Sequence, residues 1–145
     1  MKYITIVLSV CFLVCTSISK GQTRNDIKYP LGYSVDISKI TEEKMRYARS
    51  LGITHLELAG IGAILDKNLD TIEVSDKWNS HIRSVRQILD KTGMKVWSVH
   101  MPFSKNYDIS LIDEAKRTRV VAAHRNILKA LQPLGIQIIL FHPSY

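Results

Sequence analysis

The chain has 145 residues, of which 46% are apolar and 23% charged. That balance excludes a disordered segment and a membrane protein. The formal charge of +7 is dispersed: Arg46 and Arg49, Arg83 and Arg86, and Lys116, Arg117 and Arg119 sit among acids in helical patterns, as solvated helix faces do, and no nucleic-acid partner is expected.

The first 21 residues read as a signal peptide. Met1 and Lys2 form a short basic start, "YITIVLSVCFLVCTSI" is an apolar core, and "SISKGQ" offers small residues for cleavage after Ser19 or Gly21. Cys11 and Cys15 are each preceded by Val, where a lipoprotein signal wants a small residue. Cleavage after Gly21 removes both cysteines and two lysines, which leaves 124 residues at a formal charge of +5 and no disulfide framework. The expected location is periplasmic or secreted. Residues 22–30 read as a short linker, and residues 31–145 as one domain.

Within that domain a unit repeats. "SLGITHLEL", "KTGMKVWSV" and "PLGIQIILF" each carry a glycine, an aliphatic residue or Met, and a strand-like run. The glycines are Gly52, Gly93 and Gly135. Each follows an amphipathic helical pattern, at a helix stop that favours the left-handed conformation. In the first pattern Ile40, Tyr47, Ala48 and Leu51 are predicted to share a face, with Glu42 and Glu43 in the first turn. In the second the stripe is Trp78, Ile82, Val85 and Leu89. In the third it is Val120, Ala123, Ile127, Leu131 and Leu134, opened by a capping box of Ser110 with Asp113.

The predicted strands centre on Tyr33, Leu56, Trp97 and Ile139. Strands alternating with helices imply a parallel α/β sheet. The longer connections follow strands, where α/β folds keep their sites. Chemistry is therefore expected near Asp36, Glu57 to Gly60, His100 to Ser104, and His142. "LAGIGAIL" lacks dinucleotide-glycine spacing and reads as a mobile loop.

Two histidines hold the same count: His100 lies seven residues after Gly93, and His142 seven after Gly135. Equal register puts both on one face, at one level, where they can converge on a metal ion or a substrate. Pro102 and Pro143 follow closely, so both belong at the mouth. Glu57 points the same way one layer deeper, either as a third polar group of the site or paired with a base such as Lys95. Each histidine alone could be a hydrogen-bonded structural residue. His55 is expected toward the helices or the bottom of the sheet, and His81 and His124 on helix surfaces or boundaries. Trp97 and Tyr33 read as core, and Asp36 as either a cap or a site residue. No nucleophile elbow, P-loop or cysteine-based zinc motif is present.

"GYSVD", "HLEL", "SVHMPF", "VVAAHRNILKALQPLGIQ" and "ILFHPS" together resemble the xylose isomerase-like TIM-barrel superfamily, which includes sugar phosphate isomerases and epimerases and, more distantly, endonuclease IV. The resemblance runs from about Leu31 to Tyr145. It implies the first half of a (β/α)8 barrel, with four parallel strands and three helices, and a divalent metal (Mn, Mg, Co or Zn) at its mouth. In the endonuclease branch the positions matching His100 and His142 are zinc ligands. In the sugar branch they lie near the substrate, and later strands hold most of the metal. The expected activity is metal-assisted proton transfer beside a sugar carbonyl, with Glu57, His100 and His142 binding substrate and His100 and His142 touching the metal. The alternatives are a non-catalytic sugar-binding barrel and an endonuclease IV-like phosphodiesterase. A whole barrel takes about 250 residues. The chain is therefore expected to be an amino-terminal piece, inactive by itself with its catalytic carboxylates beyond Tyr145, or else to close a barrel as a homodimer.

Overall fold

Short apolar runs become parallel strands, and all but the first are entered from a helix through a tight turn. The computed structural model describes residues 29–142. The leader, most of the linker and Pro143 lie outside the described residues. β1 spans Leu31–Asp36, α1 Glu42–Ser50, β2 Ile53–Ala59, α2 Asp76–Thr92, β3 Lys95–His100, α3 Glu114–Leu131 and β4 Ile138–Leu140. The sheet runs β1-β2-β3-β4 with every pairing parallel. Strands adjacent in the chain are adjacent in the sheet, the arrangement of half a (β/α)8 barrel.

Each helix starts on a side-chain oxygen that takes one of its orphan amides. Thr41 Oγ1 accepts from Lys44 N at 3.3 Å, Ser75 Oγ from Trp78 N at 3.4 Å, and Asp113 Oδ1 from Lys116 N at 3.1 Å. The third cap differs from the predicted capping box. Ser110 donates its amide and hydroxyl to Asp108 Oδ1, at 2.8 and 2.6 Å. That local turn uses Ser110 up, so the helix starts one residue after Asp113.

The buried stripes of α2 and α3 follow the sequence: Ile82, Val85 and Leu89 on one, and Val120, Ala123, Ile127 and Leu131 on the other, with Leu134 just beyond. In α1 the predicted face holds for Ala48 and fails for Tyr47 and Leu51. Tyr47 is 68% exposed and Leu51 54%, while Met45 and Ala48 are buried. Ile40 is buried but precedes the helix, beyond the Thr41 cap, so helical spacing counted from it does not apply.

Leu56 and Leu58 of β2 and Val96 and Val99 of β3 join one core cluster with Met45, Val85 and Ile127 from the helices. β4 has no such cover: Ile138, Ile139, Leu140 and Phe141 are all exposed.

"LAGIGAIL", expected as a mobile loop, is structured and packed on the core. Ile61–Ile64 forms a 3-10 turn whose Ile61 and Ile64 are buried, followed by a buried Leu65. The connection beyond it is fastened from α3 and from the loop after β3. Arg119 donates to Leu69 O at 2.6 Å and Asp70 O at 2.7 Å, Asn126 to Ile72 O at 2.9 Å, Tyr107 Oη to Asp66 O at 3.0 Å, and Asn106 to Lys67 O at 3.1 Å.

Gly60 opens this segment with φ +72°, and a Cβ there would lie 2.4 Å from the Asp36 carboxyl. Gly52 has φ +87° with open space around it. Gly52→Ala is therefore expected to cost about 1–2 kcal/mol of backbone strain. Gly60→Ala should lose about 1–3 kcal/mol more through overpacking. Urea midpoints of the two variants check this, and equal losses would remove the steric argument.

Candidate functional site

A strand has two faces, and the core claims one of them here. Because Leu56 and Leu58 turn to the helices, His55, Glu57 and Ala59 turn to the opposite, concave side. β3 would break this pattern without a bulge. Leu56 pairs with Val96, but Glu57 pairs with Ser98, so Trp97 is the extra residue. Val96 and Val99 thereby stay in the core while Ser98 and His100 join Glu57. Trp97 is displaced from the core position expected for it. It is 49% exposed and meets His55 edge-on, with ring centroids 5.6 Å apart.

The groups on this face form a chain of contacts. Ser98 Oγ donates to Glu57 Oε2 at 3.3 Å. His100 Nδ1 stands 3.8 Å from Glu57 Oε1. His100 Nε2 and His142 Nε2 are 2.8 Å apart. Phe103 lies against His142 with centroids 3.8 Å apart and planes 23° from parallel. Glu57, His100 and His142 thus come together as the sequence suggests, and Lys95 takes no part: it pairs with His55 at the other end of the strands. Ser98, 6% exposed, was missed. It was visible as the polar residue two places before His100, inside the apolar run Val96 to Val99.

The histidines do not share a level. His100 pairs with Leu140, so His142 lies two residues further along its strand. Closing a barrel requires neighbouring strands to be staggered. A two-residue stagger preserves facing, which is why both imidazoles still reach the same side.

The other polar residues have structural partners. Asp36 Oδ1 accepts from Ser38 N and Oγ at 2.8 and 2.6 Å, and the hydroxyl contact foremost holds its carboxyl below the usual range. Asp36 is therefore the cap of a 3-10 turn. Tyr33 packs against the core, where burial raises its phenol. His55 lies on the concave face toward the bottom and meets Thr54 Oγ1 through Nδ1 at 2.7 Å. His81, inside α2 and half-buried, bonds Ile37 O through Nε2 at 3.0 Å. His124 contradicts its expected surface or boundary position. It is 4% exposed because it falls one turn after Val120 on the buried side of α3. Its Nε2 bonds Tyr107 O at 3.1 Å, and its Nδ1 is buried with no partner.

Among the described residues no three His, Cys, Asp or Glu side chains are grouped to hold a metal ion. Imidazole nitrogens are donors that divalent ions take, but these two face each other at 2.8 Å, so the rings would have to part before both could hold one ion. Glu57 behind His100 occupies the outer-shell place that a carboxylate often takes behind a metal-bound histidine.

No protein-family model matches the chain, and no curated protein does. Among solved structures it resembles a D-psicose 3-epimerase crystallised in the presence of D-fructose, with a TM-score of 0.56 and 17% identity over 77% of this chain and 36% of that one. A xylose isomerase domain protein from Planctomyces limnophilus gives a TM-score of 0.53 and 17% identity over 81% of this chain and 42% of that one. At this identity the likeness is one of fold. The chain spans well under half the length of either neighbour.

Burial depresses the His124 imidazole below its ordinary value of 6.5, and the Tyr107 carbonyl only partly offsets this. The unfolded chain therefore takes up a proton that the folded chain resists. Stability should be unaffected by His124 above that value and fall as pH drops below it, over about pH 7 to 5. Urea midpoints across that range should decline less steeply in His124→Gln, and an identical slope would refute the assignment.

Proposed function

We propose that this half of a xylose isomerase-like (β/α)8 barrel carries part of a metal-assisted sugar isomerase or epimerase site. The observation that supports this reading is the meeting of His100 and His142 above Glu57 at the carboxyl ends of β2, β3 and β4. Barrels of this architecture place their sites at that end. The fold shared with an epimerase and a xylose isomerase domain protein favours a small sugar or sugar phosphate as ligand.

In this reading Glu57 orients His100, and the imidazoles hold sugar oxygens or an ion. Among manganese, magnesium, cobalt and zinc, a nitrogen pair favours cobalt and zinc. A bound ion would supply Lewis-acid polarisation of the sugar carbonyl. Phe103 braces the His142 ring. The proton-transferring carboxylates belong to the other half of the barrel, on a longer polypeptide or a second copy. The apolar leader supports a periplasmic or secreted location.

Calorimetric titration with zinc or cobalt should show affinity in the 145-residue chain that falls about tenfold or more in His100→Ala and in His142→Ala. Unchanged metal and sugar affinity in both variants would sink the site assignment. No epimerisation of D-fructose or related ketoses is expected from this chain alone, and measurable turnover would overturn the half-site reading.

A further inference from the structure

We infer that Glu57, itself held by Ser98, is a positioning residue that fixes the tautomer of His100, so that His100 presents a bare Nε2 and His142 an Nε2–H across their contact. The inference deepens the reading above and rests on it for the identity of the ligand, while its own chemistry stands on four side chains.

The two imidazoles are nearly parallel, 17° apart, with centroids separated by 5.0 Å. Their Nε2 atoms are 2.8 Å apart. The centroid separation exceeds the nitrogen separation by about two ring radii, so the rings meet edge to edge, in nearly one plane. At that distance two lone pairs repel and two N–H groups collide. One proton therefore sits between the nitrogens, since each neutral ring has one N–H and one lone pair to offer.

The surroundings decide which ring supplies it. His100 Nδ1 faces Glu57 Oε1 at 3.8 Å. This is longer than a hydrogen bond, so the interaction is between a charge and a dipole. Its sign is plain: a carboxylate attracts an N–H and repels a lone pair. The His100 proton is placed on Nδ1, Nε2 is left bare, and His142 donates.

Ser98 settles which carboxylate oxygen is free. Its hydroxyl occupies Oε2, which leaves Oε1 toward His100. Ser98 and Glu57 are ladder partners, so the backbone fixes their spacing. The result is an asymmetric pair. His100 Nε2 needs only the His142 N–H to turn away before it can accept a proton from a sugar hydroxyl or ligate an ion, whereas His142 must also change tautomer before it can ligate.

Nitrogen-15 spectra of the labelled 145-residue chain, recorded above the imidazole titration range, read both tautomers. His100 should show a protonated-type Nδ1 and a bare-type Nε2, and His142 the reverse. Glu57→Leu should move the His100 proton toward Nε2, Glu57→Gln, which keeps an acceptor oxygen, should restore the pattern in large part, and Ser98→Ala should shift it partway. An Nε2–H form of His100 in the unaltered chain overturns the inference even if every variant misfolds. So does a His100 tautomer unmoved by Glu57→Leu in a chain whose amide spectrum is otherwise intact. Absent metal and sugar affinity with the tautomer pattern intact would sink the proposed function and leave this inference standing.

Discussion

Everything at the concave face depends on a parity rule. A side chain on a strand goes to one face or the other, and the core decides which. Leu56, Leu58, Val96 and Val99 are claimed by the helices, so their alternates must stand on the other side. A polar group there avoids the core and the cost of unpaired burial. Glu57, Ser98 and His100 are together because their neighbours are apolar.

Two irregularities keep this rule consistent along the sheet. The bulge at Trp97 absorbs one residue, so that Val96 and Ser98 both reach the faces their chemistry suits. The two-residue stagger of β4 moves His142 along its strand without turning it over. A stagger of one residue would have sent it toward the helices. The Nε2 contact between the imidazoles is thus a product of backbone register as much as of the side chains.

Much of this was legible in the sequence. The glycine-led units, the four strands and the stripes of α2 and α3 follow from periodicity, because burial there is one-sided and continuous. The convergence of Glu57, His100 and His142 followed from parity alone. What failed were readings that needed the third dimension. The common level of the histidines assumed unstaggered strands. Trp97 was read as core because a bulge leaves no mark in a short apolar run. The α1 stripe failed at Tyr47 and Leu51 because the cap at Thr41 cut Ile40, from which the spacing was counted, off from the helix. His124 looked like a surface residue because polar type was weighed above its position beside Val120. "LAGIGAIL" looked mobile because its glycines were counted and its buried isoleucines were not.

The fastening of the loop after β2 bears on how a ligand would arrive. Five side-chain hydrogen bonds, from Arg119, Asn126, Tyr107 and Asn106, hold the carbonyls of residues 66–72. A rim held this way does not wait on closure, and a ligand does not have to order it. For the proposed function this side of the mouth would then offer a shape set in advance, with little entropic cost of loop ordering on binding.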